Sequence, residues 1–125
     1  MIKQLSVFIQ NESGRLVNVT EILEKTNINI SALSIAETEE YGILRMIVSD
    51  VEKAAEALRA ADYTVKISDV VCIVTEDIPG ALNKALHLLA DEGIDVAYMY
   101  GYSSDGKARL VLKTSDPEKA SKLLD

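Results

Sequence analysis

Shifting the chain by 66 residues lays positions 5–59 over 71–125 without a gap. This internal repeat constrains the fold more than any other feature, because a repeated stretch must be a structural unit that can be used twice. Only 11 of the 55 aligned pairs are identical, so the repeat rests on where the matches fall. Gly14-Arg15-Leu16 meets Gly80-Ala81-Leu82, and Leu23 meets Leu89. Asn27-Ile28-Asn29-Ile30 meets Gly93-Ile94-Asp95-Val96. Ser49-Asp50-Val51-Glu52-Lys53-Ala54 meets Ser115-Asp116-Pro117-Glu118-Lys119-Ala120. The expected division is one unit over 1–69 and a second over 70–125.

Each unit parses in the same order. Leu5, Val7 and Ile9 alternate with polar or outward positions, the period of a half-buried strand. Asn11-Glu12-Ser13-Gly14 breaks the pattern. Leu16, Val19, Thr20 and Leu23 then recur at helical spacing, as do Leu82, Ala85, Leu86 and Leu89 in the second copy. Asn27 and Gly93 suit left-handed helix stops. A second strand carries Ile30, Leu33 and Ile35 into a hairpin around Glu39-Glu40-Tyr41-Gly42, whose counterpart is Ser104-Asp105-Gly106. Leu44, Met46 and Val48 make a third strand. Ser49-Asp50 and Pro117 mark the start of a second helix, with Ala54, Ala55 and Leu58 inward. Tyr63, Val65 and Ile67 make a fourth strand. The order is βαββαβ, the ferredoxin-like arrangement, so the fold class is α+β: two tandem units with antiparallel sheets and helices on one face. The second copy reaches Asp125 inside its second helix, so its fourth strand is missing from this sequence. Nothing linker-like separates Ile67 from Val71, and the two units are expected to pack closely.

Composition narrows the function. Thirteen Lys+Arg against twenty Asp+Glu give a net charge of −7, which disfavours a nucleic-acid or anionic-membrane partner. One cysteine makes no internal disulfide and fits a reducing cytoplasm. No apolar run approaches the roughly 20 residues that span a bilayer, and the N-terminus lacks the apolar block of a signal peptide. No spacing suggests a metal site or calls for a cofactor. His87 falls opposite the core stripe of its helix, on a solvated face. Cys72 sits mid-strand, where a buried cysteine acts as a small hydrophobe. With no nucleophile–base or acid–base pair in view, an enzyme is the least supported reading.

The two glycine turns carry the remaining signal. Gly14 and Gly80 each stand between a first strand and a first helix, where a missing Cβ lets a ligand approach the backbone. The adjoining helix N-terminus suits a carboxylate, and Asn11 or Asp77 nearby suits an ammonium group. Together these are the needs of a free α-amino acid. The same residues also suit a plain tight turn with Asn11 and Asp77 capping the helix, and the residues alone leave both uses open.

Asp77-Ile78-Pro79-Gly80-Ala81-Leu82, followed by Gly93-Ile94-Asp95-Val96, resembles the Asp-x-Pro-Gly-x-Leu … Gly-Ile-Asn-Ile pattern of ACT domains, the small-molecule regulatory modules of amino-acid metabolism. Asn11-Glu12-Ser13-Gly14-Arg15-Leu16 with Asn27-Ile28-Asn29-Ile30 resembles it too, although Asn11 and Ser13 replace the aspartate and the proline. The resemblance implies a non-enzymatic sensor that binds a free amino acid where ACT units meet. It implicates Asn11, Glu12, Gly14, Arg15 and Leu16 with Asp77, Ile78, Gly80, Ala81 and Leu82. The second-strand starts would form the other wall: Asn29, Ile30, Ser31 and Ala32, with Asp95, Val96, Ala97 and Tyr98. The alternative is an ACT-type adaptor that associates with a separate metabolic enzyme without a ligand. Tyr98, Tyr100 and Tyr102 alternate onto the sheet face away from the helices. Such a stripe suits RNA stacking or protein packing, and the acidic charge favours packing. With Phe8 and Val74 it points to a homodimer.

Overall fold

The computed structural model describes residues 1–10, 12–37 and 40–124. Ten elements follow in the order β1 (Ile2–Gln10), α1 (Arg15–Lys25), β2 (Ile30–Glu37), β3 (Tyr41–Val48), α2 (Val51–Ala60), β4 (Thr64–Glu76), α3 (Ala81–Asp91), β5 (Val96–Ser104), β6 (Lys107–Thr114) and α4 (Pro117–Leu124). The first unit is Lys3–Ser68, and the second is Asp69–Asp125 together with Met1–Ile2. The boundary falls inside β4. The sequence reads two strands there, around 63–67 and from Val71 onward, and the backbone joins them into one 13-residue strand. Only Ser68-Asp69 stand between the two apolar runs, with no glycine or proline to break the extended chain.

In the first unit the strands lie in the order β2-β3-β1-β4. The β1–β3 pairing is antiparallel and sets Leu5 against Met46 and Val7 against Leu44. These residues form a core with Val19 and Leu23 of α1, Ala54, Ala55 and Leu58 of α2, and Tyr63 and Val65. In the second unit the order is β4-β6-β5, with Val71 opposite Leu112 and Ile73 opposite Leu110. Val71, Ile73 and Leu112 pack on Ala85 and Leu89 of α3 and Ala120 of α4. Both units are ferredoxin-like in pattern. Among the described residues, the second has no counterpart of the strand at 64–68.

The turn chemistry is as the sequence dictates. Asp105 and Gly106 take φ of 55° and 75°, the two positive values of a type I′ hairpin. Asn27 and Gly93 are both left-handed, at 61° and 71°, and the next amide closes each helix: Ile28 N donates to Leu23 O and Ile94 N to Leu89 O.

Several expected core positions differ. On α1 the inward stripe is Val19, Ile22 and Leu23; Thr20 is exposed and Leu16 is 39% exposed. Leu82, its counterpart on α3, is also 39% exposed. Leu33 and Ile35 lie 53% and 46% exposed, although they pair with Met46 and Leu44. They share the face of Met46 and Leu44, but they stand on β2, the edge strand of the unit, where that face is left open. Only Ile30 packs against the core.

Candidate functional site

The stretch of the repeat richest in identities, 49–54 against 115–120, proves to be structural. Ser49 N donates to Asn29 O and Asn29 N donates back to Ser49 Oγ, tying the start of β2 to the end of β3. Ser115 and Asp95 make the same pair of bonds. Asp50 Oδ1 then accepts from Lys53 N at 3.1 Å and caps α2, as Asp116 Oδ1 does from Lys119 N on α4. Asn29 and Asp95, expected in a ligand wall, hold the fold together through their backbones.

The glycine turns lack such caps. Gly14 and Gly80 are the residues preceding α1 and α3, with φ of 83° and 89°, and no side chain bonds to either helix start. A left-handed φ is open to glycine at little cost, which is why this residue recurs. Asn18 N and Lys84 N reach the two glycine carbonyls. The amides of Leu16 and Val17, and of Leu82 and Asn83, have no acceptor among the described residues, as the first amides of an uncapped helix do. Asp77 does not cap α3, so the plain-turn use of its side chain is not what the structure shows. Asn11 lies outside the described residues.

Each turn borders a cavity, and the two cavities are built from equivalent positions. The first, of about 200 Å³, is lined by Ile9, Gln10, Glu12, Gly14, Arg15, Leu16, Val17, Ile35, Glu37 and Gly42. The second, of about 230 Å³, is lined by Thr75, Glu76, Asp77, Ile78, Leu82, Gly101, Tyr102, Ser103, Ala108 and Leu110. Adding 66 carries Ile9 to Thr75, Gln10 to Glu76, Glu12 to Ile78, Leu16 to Leu82, Ile35 to Gly101, Glu37 to Ser103 and Gly42 to Ala108.

Of the expected residues, Glu12, Gly14, Arg15 and Leu16 thus meet in one cavity, and Asp77, Ile78 and Leu82 in the other. Gly80 supplies the bend, and Ala81 borders a different hollow beside Lys84 and Leu88. The strand starts do not join them within a unit. Asn29 and Ile30 line a separate hollow with Thr20 and Asn27 at the far end of α1, about 16 Å away for an 11-residue helix. Ser31 Oγ donates to Ile47 O, and Val96 packs against the core of its own unit. Tyr98 sits opposite Lys113, also remote from the second cavity. Instead the far ends of β2 and β5 close the cavities, through Ile35, Glu37, Gly101, Tyr102 and Ser103. The 66-residue offset links Ile35 with Gly101 and Glu37 with Ser103, whereas the counterpart of Tyr102 is Ala36, which does not line the first cavity.

The electrostatics of the two cavities differ. In the first, Arg15 Nη2 donates to Gln10 Oε1 and to Glu12 Oε2, both at 3.1 Å. A hydrogen bond to Tyr63, then the charge of Glu12, hold the guanidinium firmly in its charged form. The second cavity has Ala81 at the equivalent position. There Glu76 is engaged by Lys107, and the Asp77 carboxylate has no partner among the described side chains.

Other candidates carry no chemistry. His87 is exposed, as its helical position predicts. Cys72 is exposed rather than buried, on the sheet face away from the helices, and partial burial pushes its thiol up rather than toward thiolate. Among the described residues no group of three His, Cys, Asp or Glu could hold a metal ion. Among the described residues no helix is long and apolar enough to cross a membrane.

Known proteins share this architecture. The chain is similar to protein BT0572 from Bacteroides thetaiotaomicron, whose crystal structure matches with a TM-score of 0.92 and 48% identity over 98% of this chain and 85% of that one. The regulatory subunit of aspartate kinase from Thermus thermophilus matches in fold, with a TM-score of 0.72 and 15% identity over 97% and 89% of the two chains. The acetolactate synthase small subunit of Aquifex aeolicus is 33% identical over 72 residues, which is 53% of this chain and 38% of that protein. The chain therefore spans well under half the length of this curated relative. The family model of the ACT domain pair matches residues 1–124, and the chain belongs to that family.

Proposed function

We propose that the protein is a non-enzymatic regulator that senses a free amino acid at its glycine turns. The observation that carries this reading is the duplicated site: two uncapped helix starts, each at a left-handed glycine, each bordering a cavity made from equivalent positions. Free amides attract the ligand carboxylate, and a carboxylate such as Asp77 receives its ammonium group. The regulatory kind of its relatives supports the same role. We further propose a homodimer working in the cytoplasm. The half-exposed Leu33 and Ile35 on edge strand β2 are apolar surface of the sort a second copy covers, and that copy would supply the remaining wall of the site.

A thermal-shift screen of the twenty amino acids tests the sensor. At 100 times its dissociation constant, a ligand adds about 2.7 kcal/mol of stability. That raises Tm by several degrees, since a chain of 125 residues falls between the roughly 4–8 °C per kcal/mol of smaller domains and the roughly 2–4 °C of larger ones. Asp77→Ala should weaken the responding amino acid by about 1.5–3 kcal/mol, the worth of a hydrogen bond to a charged group. If all twenty leave Tm unchanged at millimolar concentration, the alternative takes over: a ligand-free subunit that associates with a separate metabolic enzyme. The likeness to an acetolactate synthase small subunit favours that second reading.

A further inference from the structure

We infer that the two cavities are unequal, and that Arg15 closes the first while the second alone takes an amino acid. The inference rests on the amino-acid reading above. Arg15 lines the first cavity and spends one guanidinium nitrogen on two of its acceptors, Gln10 Oε1 and Glu12 Oε2. A ligand ammonium group seeks acceptors of this kind, and a charge-assisted pair already formed within the chain must break before it can use them. Arg15 thus stands where an incoming cation would stand. Glu37 remains in that cavity, at its exposed rim on the last residue of β2.

In the second cavity one acceptor is also engaged, Glu76 by Lys107, but Lys107 is not among the residues that line the cavity, whereas Arg15 lines the first. The counterparts of Glu12 and Arg15 are Ile78 and Ala81, which form neither an ion pair nor a hydrogen bond between side chains. Asp77, on the cavity wall, has a carboxylate with no partner among the described side chains. Arg15 is therefore the residue that decides how many amino acids one chain holds.

The test is equilibrium dialysis of the whole chain against an equimolar mixture of the twenty L-amino acids, with retained amino acid counted per chain. The wild type should retain one and Arg15→Ala two. The reciprocal variant Ile78→Glu/Ala81→Arg, which builds the same pair into the second cavity, should retain none. It gives an answer even if Arg15→Ala folds poorly. Two amino acids on the wild type, falling to one in Arg15→Ala, would overturn the inference, because Arg15 would then be a carboxylate receiver working with Glu37. One amino acid retained by the reciprocal variant would overturn it as well. If wild type and Arg15→Ala both retain nothing, the sensor reading itself fails.

Discussion

In the first unit Ile9, Val19 and Ala55 are buried; at the equivalent places the second unit has Thr75, Ala85 and Ser121. The first unit also wedges Tyr63 into its core, 8% exposed, with its hydroxyl accepting from Asn18 Nδ2 at 2.6 Å. Yet both units keep the Ser-Asp turn bond for bond. The difference teaches that the repeat is strict where backbone groups must be satisfied and loose where apolar volume is filled. Hydrogen bonds depend on atoms at fixed distances, whereas apolar burial tolerates many side-chain combinations.

That contrast can be broken most sharply at the core. Leu58→Ala removes a fully buried side chain from the first unit and should cost about 2–5 kcal/mol. Leu124→Ala, at the matching place on α4, should cost about 1 kcal/mol because that side chain is only partly buried. Urea unfolding of both variants checks the pair, and equal losses would remove the distinction between the two cores.

A smaller effect is expected at the cavity walls. A Cβ on Gly101 would overlap the carbonyl oxygen of Arg109 and the side chain of Leu110. Gly101→Ala should therefore destabilise by about 1–3 kcal/mol. Its counterpart Ile35 is 46% exposed, and Ile35→Ala should change stability by about 0.5 kcal/mol. Thermal unfolding of the two variants decides it. Gly101→Ala with an unchanged Tm would show that β5 and β6 can move apart at no cost.

The smallest effect should be a gain. Thr114 is 4% exposed and its hydroxyl has no hydrogen-bond partner among the described residues, while the matching residue in the first unit is Val48. Thr114→Val removes an unsatisfied buried hydroxyl and should stabilise by about 1 kcal/mol. A loss of stability in denaturant would mean that the hydroxyl is satisfied in solution.

Much of this was legible beforehand. The βαββαβ order, the left-handed stops at Asn27 and Gly93, the Asp105-Gly106 hairpin and the outward His87 all follow from local chemistry, which needs only a few neighbouring residues. The candidate site was half legible. Glu12, Arg15, Asp77 and Leu82 sit beside the glycines that mark them. Their partners across each cavity come from strand ends some 20 residues further along the chain, where nothing local signals them. The exposure of Leu33, Ile35 and Cys72 was missed for a related reason. Alternation tells which residues share a face, but strand order tells which face and which edge are covered.

The sequence by itself determined the repeat, the elements and the turns, because each depends on backbone preferences and periodicity within a short window. Only the tertiary structure decided that two apolar runs form a single β4. It alone decided that Asn29 and Asp95 lie at the opposite end of their units from the glycine turns, and that Arg15 bonds across its own cavity. Those outcomes depend on which distant segments pack side by side, and a side chain finds its partners only after the chain has folded.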